Sequence, residues 1–176
     1  MNAATAEKGL RAHWSHAYDV NAGGPVINDQ SPLAHLDDRA KRTVELARRR
    51  AGGLHSRVIG PEHVLLALFA VRKGMAARAV ASLSGSCAPA ENAIAGALVP
   101  GPHPSPTHIP FTEACEQAMV RAARQARRLG DDRIGTEHLL LGLLQATGDP
   151  TVGRLSDLGV TYDAVHAEIE RLRAEG

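Results

Sequence analysis

Aromatic side chains are scarce in this sequence: Phe, Trp and Tyr together make up 3% of its 176 residues. A hydrophobic core must therefore be built mainly from Leu, Val, Ile and Ala, which pack well between helices that approach one another closely. Hydrophobic residues make up 44% of the chain and charged residues 22%, an ordinary composition for a globular protein. The scarcity of aromatics, together with abundant alanine, favours an all-α fold.

Disulfide motifs, long apolar runs and an excess of one charge are also missing. The two cysteines, Cys87 and Cys115, lie in unrelated contexts and form no C-x-x-C motif. No apolar run approaches the roughly 18 residues that span a membrane, and the segment MNAATAEKGLRAHWSHAYDV lacks the apolar region of a secretory signal. The formal net charge of +1 gives no attraction to nucleic acid or an anionic membrane. We therefore expect a cytoplasmic protein that binds neither.

The chain contains an internal repeat with a period of 75 residues. The segment RIGTEHLLLGLL at 133–144 resembles the segment VIGPEHVLLALF at 58–69. A shift of 75 aligns residues 36–85 with residues 111–160 without a gap, and twelve of the 50 pairs are identical. Before each motif, small and apolar residues follow the same steps along one face of a helix. The sequence is therefore an internal duplication.

Turn and capping residues divide each copy into four helices. Asp37 and Thr112 are the expected N-caps of the first helices, and Gly60 and Gly135 precede the second helices. Third helices are predicted at about 75–83 and 151–158, and fourth helices at 89–98 and 162–174. The predicted fold is all-α, with eight helices in two four-helix repeats related by a pseudo-twofold axis.

The repeat also sets the expected domain boundaries. Residues 33–99 form the first repeat and residues 111–176 the second. Between them, residues 100–110 contain five prolines and are expected to form an extended linker. Residues 1–32 lack clear periodicity and are expected to form a flexible N-terminal arm.

Two four-helix repeats that each begin their second helix with I-G-x-E-H-x-L-L-x-L resemble the N-terminal domain of Clp-family AAA+ unfoldases, of the ClpC/ClpA type. The segment HIPFTEACEQAM also matches the family's opening of the second repeat, and the resemblance covers about Leu33 to Leu172. No G-x-x-x-x-G-K-[ST] loop for ATP is present. The resemblance therefore implies an N-domain that is freestanding, without the ATPase modules, or that is a fragment of a longer protein.

The resemblance also implies a function. Family N-domains are non-catalytic modules that receive protein substrates or adaptors for the Clp unfoldase. In ClpC-type members, motif glutamates recognise phosphoarginine, and the matching residues are Glu62 and Glu137. Cyclic-peptide antibiotics bind family N-domains, so an alternative is a decoy that sequesters such peptides or otherwise competes with the unfoldase N-domain. No cofactor is implied.

The chemistry of the motif is consistent with two explanations for its glutamates. The first explanation is structural, because a carboxylate near a helix N-terminus is stabilised by the helix dipole. The second is functional, because a carboxylate at this position can pair with the guanidinium of a ligand while backbone N–H groups bind its phosphate. The first copy departs from the pattern of the family it resembles, with Pro61 in place of Thr and Leu36 in place of Phe, and Thr136 adds a hydroxyl that Pro61 lacks, so the second copy is expected to be the better site. The predicted ligand- or peptide-binding residues are Glu62, Glu137, Thr136, Gly135, Gly60 and Phe111.

Metal and catalytic chemistry receive less support. His63 and His138 directly follow the glutamates, but H-E-x-x-H is absent and neither copy offers a second ligand one turn away. We therefore predict no metal site and interpret both histidines as helix-start residues. No nucleophile is paired with a base, so the protein is not expected to be an enzyme.

Overall fold

The computed structural model describes residues 32–175 and confirms the predicted all-α fold with eight α-helices. Residue 32 is the one position of the predicted arm 1–32 that is described, and it begins a short 3-10 helix, Pro32–His35. The rest of that arm, like residue 176, lies outside the described residues. The helices are α1 (Asp38–Gly53), α2 (Pro61–Ala70), α3 (Met75–Ser84), α4 (Ala88–Ala95), α5 (Glu113–Arg128), α6 (Thr136–Leu144), α7 (Pro150–Ser156) and α8 (Tyr162–Ala174).

The helices begin where capping residues were predicted. Asp37 accepts a hydrogen bond from the backbone N–H of Ala40 at the start of α1 (2.6 Å), and Thr112 accepts one from Cys115 at the start of α5 (3.3 Å). The end of α4 differs from the prediction, which extended it to Leu98. The helix ends at Ala95 because the chain turns at Gly96, and Leu98 therefore lies outside the helix.

Two short backbone pairings tie the repeats together in a reciprocal way. Leu36 pairs with Ile134, and Phe111, which is the counterpart of Leu36, pairs with Ile59, the counterpart of Ile134. Each pairing is closed by two backbone hydrogen bonds of 2.7–3.0 Å. The segment before the first helix of each repeat is thus fixed to the segment before the second helix of the other, as a pseudo-twofold relation requires.

The later helices are also exchanged between the repeats. Helix α3 packs against α8, and α4 packs against α7, so the third helix of each repeat contacts the fourth helix of the other. One continuous hydrophobic cluster joins both repeats, and α2 and α6 lie within it with nearly every residue buried. Because these two helices carry the repeated motif, both motif glutamates are held at the ends of rigid, central elements. None of the described helices combines the length and hydropathy of a membrane span.

Candidate functional site

The motif builds the same helix start in both repeats. Gly60 and Gly135 are N-caps with extended backbone, and the histidine three residues later is buried. His63 Nδ1 accepts the N–H of Gly60 at 3.1 Å, and His138 Nδ1 accepts the N–H of Gly135 at 2.8 Å. In a capping box a glutamate or glutamine at this position makes that bond. The histidines therefore serve the helix start.

The glycines leave room for the motif glutamates. A Cβ added to Gly60 would lie 2.6 Å from the carboxyl carbon of Glu62, and one added to Gly135 would lie 2.7 Å from Glu137 Oε1. Each carboxylate thus folds back over the N-terminus of its own helix, where the dipole favours negative charge. Burial raises the pKa of Glu62, but the adjacent His63 ring and a backbone N–H favour the carboxylate and together hold this pKa below its usual value.

In the second repeat, the motif glutamate is already paired with a guanidinium. Arg173, in the last turn of α8, contacts Asp131 through Nη2, and the same nitrogen lies 3.4 Å from Glu137 Oε1 and 3.4 Å from His138 Nε2. His138 Nε2 lies 3.0 Å from Asp131 Oδ2. Because His138 Nδ1 accepts from Gly135, the ring proton is on Nε2 and is donated to Asp131. We call Asp131, Glu137, His138 and Arg173 the Arg173 cluster.

Thr136 joins this cluster to the other repeat. Its hydroxyl accepts the backbone N–H of Ala76, in the first turn of α3, at 3.3 Å. The same oxygen lies 3.3 Å from Glu137 Oε2 and donates to it. Thr136 is buried, so its hydroxyl orients Glu137 and caps α3 instead of facing solvent.

The Arg173 cluster also contains three groups with metal-ligand spacing. The ligand atoms of Asp131, Glu137 and His138 all lie within 4.8 Å of one another. Arg173 Nη2 contacts each of these residues, however, so the chain itself supplies the positive charge that such a cluster attracts.

In the first repeat, the corresponding place is a pocket of about 270 Å³. The shift of 75 residues places Leu98 opposite Arg173 and Ser56 opposite Asp131. Both Leu98 and Ser56 line the pocket beside Glu62, whose side chain is 25% exposed. We call this cavity the Glu62 pocket; it is lined by Leu54, His55, Ser56, Arg57, Glu62, His63, Leu98, Val99, Gly101, Pro102 and His103.

One wall of the Glu62 pocket has a strained backbone. His55 has a φ of 54°, in the left-handed region that favours glycine, whereas the second repeat has Gly130 (φ 74°) at the equivalent position. A left-handed conformation costs a residue with a Cβ roughly 1–2 kcal/mol. Such strain is concentrated at functional sites, and this histidine lines the pocket that holds Glu62.

Comparison with known proteins places this architecture in a family. The family model for the Clp repeat (R) N-terminal domain matches residues 35–155 and 111–175. The chain belongs to this family. It is 30% identical over 140 residues to the negative regulator of genetic competence ClpC/MecB of Bacillus subtilis, a match that covers 80% of this chain and 17% of that protein.

Solved structures share the fold of this Clp repeat domain. The N-terminal domain of the chaperone ClpD from Arabidopsis thaliana has a TM-score of 0.61 at 20% identity, over 85% of this chain and 100% of that one. A ClpV N-domain in complex with a VipB peptide has a TM-score of 0.64 at 15% identity, over 81% and 90%. The chain spans 16–17% of the length of the curated relatives it matches.

The structure places the predicted site residues in different surroundings. Glu62 lines a pocket, whereas Glu137 is 14% exposed and lies within the Arg173 cluster. Phe111 is 5% exposed and belongs to the core, where it pairs with Ile59. The remaining predicted residues, Gly60, Gly135 and Thr136, are buried at the helix starts.

Several residues of this Clp repeat domain that define the two sites were missed. Arg173 and Asp131 lie 42 residues apart in sequence, and no local motif links them. Extending the 75-residue shift into the fourth helices would have aligned Arg173 with Leu98, since the buried pair Ile94 and Ile169 keeps the register. The replacement of a charged residue, Arg173, by an apolar one, Leu98, is the sequence signal that distinguishes the two copies.

The Arg173 cluster predicts a pH dependence of stability. Burial lowers the pKa of His138 below its usual value of 6.5, although Glu137 and Asp131 oppose this. Because the folded-state pKa is the lower one, the unfolded chain takes up the proton first as pH falls. Stability from this group is therefore complete above about pH 6.5 and declines as pH falls toward the folded-state pKa.

Urea unfolding of wild type and of His138→Gln at about pH 7.5 and about pH 5.5 measures this effect. We expect the variant to lose less stability than wild type between the two pH values. His108→Gln, at an exposed linker position, is the control and should retain the wild-type difference. Equal losses in wild type and His138→Gln would contradict the assignment.

Proposed function

We propose that this Clp repeat domain is a non-catalytic docking module for the Clp unfoldase system, and that the Glu62 pocket receives a guanidinium group of a protein or peptide. The candidate partners are a Clp-type unfoldase, its adaptors and its protein substrates. One observation supports the proposal: the chain's own Arg173 occupies the motif site of the second repeat, whereas its counterpart beside Glu62 is Leu98, which lines an open pocket.

The charge and shape of the Glu62 pocket support this ligand class. Leu98 and Leu54 provide apolar walls for the stem of an arginine side chain, and Glu62 provides a carboxylate for its planar head. Peptide binding by a related fold also supports docking, since a ClpV N-domain was solved with a VipB peptide.

One arginine and two histidines line the same pocket as Glu62. Arg57, His55 and His103 are exposed, and all three contribute to its walls. A ligand that carries a guanidinium next to an anion would satisfy both sets of groups. Phosphoarginine has this chemistry, and we propose it as the preferred form of the ligand.

Calorimetry with three matched peptides tests the proposal. The peptides are identical except for one central residue, which is arginine, phosphoarginine or lysine. We expect binding of the arginine peptide, tighter binding of the phosphoarginine peptide, and weaker binding of the lysine peptide because its ammonium lacks the planar fork. A cyclic peptide is added as a fourth ligand, because tight binding of it alone would favour a decoy function.

The choice of pocket is tested separately with His55→Gly. Glycine keeps the left-handed backbone, as Gly130 does in the second repeat, and removes only the imidazole. We expect this variant to fold and to bind the phosphoarginine peptide more weakly than wild type. Absence of binding by wild type to all the linear peptides at millimolar concentration would overturn the docking proposal.

A further inference from the structure

The two copies of the motif differ in whether a side chain of the same chain occupies them. In the second repeat, Arg173 Nη2 contacts Asp131 and lies 3.4 Å from Glu137 Oε1. In the first repeat, the equivalent residues are Leu98 and Ser56, which leave Glu62 at the edge of a 270 Å³ pocket. The pseudo-twofold fold is kept, but the arginine that contacts Glu137 in the second repeat is replaced by Leu98 in the first.

We propose that Arg173 is an internal ligand that closes the motif site of the second repeat, so that the domain offers one open guanidinium site instead of two. This inference rests on the proposed function of the Glu62 pocket. It assigns the two repeats different roles: the first binds a partner, and the second holds its site closed with the final helix.

Geometry favours the internal arginine over an external one. Arg173 extends from α8, and Leu172, the residue before it, is buried in the core. The guanidinium of Arg173 is therefore held beside Glu137. A group tethered in this way has an effective concentration on the order of millimolar or higher, and an external arginine must compete with it. Displacement would also break the ion pair between Arg173 and Asp131, so an external arginine must offset that loss as well.

The position of Arg173 makes this closure reversible. Its side chain is 27% exposed, and the partners Asp131 and Glu137 are 34% and 14% exposed. Release therefore requires rotation of one long side chain and leaves the buried stripe of α8 (Val165, Ile169 and Leu172) in place. Removal of the guanidinium is expected to open a second site with little disturbance of the core.

The number of bound peptides per chain tests the inference. We compare wild type, Arg173→Leu and Arg171→Leu by calorimetry with the arginine peptide described above. Arg171 is the matched control, because it lies on the same helix and pairs with Glu168 and Glu175 away from the cluster. We expect one peptide per chain for wild type and for Arg171→Leu, and two for Arg173→Leu.

A reciprocal variant tests the open site. Leu98→Arg combined with Ser56→Asp places the two charged groups of the second repeat in the first. We expect this double variant to lose binding, and its thermal unfolding shows whether the fold is kept. Arg173→Gln, which keeps a polar head, replaces Arg173→Leu if the apolar variant does not fold.

Each result separates this inference from the docking proposal. If wild type and Arg173→Leu each bind one peptide per chain, the closure is overturned and the docking proposal stands. Two peptides per chain of wild type would have the same consequence. No binding by wild type but one peptide bound by Arg173→Leu would support the closure and overturn the Glu62 pocket. No binding by wild type or by Arg173→Leu would overturn both the closure and the docking proposal.

A zinc titration of Arg173→Leu is run in parallel. Zinc binding that blocks the peptide would reassign the vacated cluster to a metal and overturn the guanidinium inference.

Discussion

Replacing Gly142 with alanine is expected to lower the free energy of unfolding by about 1–3 kcal/mol, because α5 and α6 cross too closely there to admit a methyl group. A Cβ on Gly142 would overlap the carbonyl oxygen of Ala118 and would lie 2.9 Å from the backbone nitrogen of Ala122. Both are backbone atoms of α5, so no side-chain rotation relieves the overlap. Arg121 Nε also donates to the carbonyl of Gly142 at 2.8 Å, which ties the two helices together at the same point.

Urea unfolding followed by circular dichroism measures this effect, with Gly153→Ala as the control. Gly153 lies within α7, and a Cβ there would meet nothing within 4 Å. Alanine at such an open helical position is expected to raise stability by about 0.5–1 kcal/mol. The close crossing would be refuted if Gly142→Ala proved as stable as Gly153→Ala.

The repeat made most of the fold predictable from sequence. Apolar steps that recur 75 residues apart identify the buried face of equivalent helices, and capping residues such as Asp37 and Thr112 fix where helices begin. These are local signals, and local signals locate helices well. The exchange of third and fourth helices between the repeats depends on contacts distant in sequence, and periodicity does not reveal it.

The candidate site was less predictable for the same reason. The motif identified Glu62 and Glu137, but their environments depend on residues 36 positions away, such as Leu98 and Arg173. Sequence reasoning ranked Glu137 first because Thr136 offers a hydroxyl. In the structure that hydroxyl is bonded to Ala76 and Glu137 within the chain, so we propose the opposite order.

The repeated motif itself has a largely structural explanation. The isoleucine pairs with the other repeat, the glycine leaves space for the glutamate, and the histidine accepts the N–H of that glycine. These three requirements preserve I-G-x-E-H spacing in both copies. The glutamate is the member whose surroundings have diverged, which is why we assign the functional difference between the repeats to it.

Glu62→Gln is expected to weaken binding of the arginine peptide by about tenfold to hundredfold, since it removes a charge-assisted hydrogen bond worth roughly 1.5–3 kcal/mol. Glutamine keeps the size of the side chain, so the pocket keeps its shape. The matched variant, Glu137→Gln, is expected to change this affinity by less than about threefold, because Glu137 faces the chain's own Arg173. It should instead lower stability, because it weakens the Arg173 cluster.

Calorimetry with the arginine peptide and urea unfolding of both variants measure these opposite effects. The pattern expected is a loss of affinity with a modest loss of stability for Glu62→Gln, since its carboxylate also lies over its own helix start, and a loss of stability without loss of affinity for Glu137→Gln. Arg173 supplies the physical reason for the asymmetry, since a guanidinium from the same chain satisfies one carboxylate and leaves the other available to a partner. If Glu137→Gln lost affinity and Glu62→Gln kept it, the open site would lie in the second repeat, and Arg173 would have to be displaced when the peptide binds.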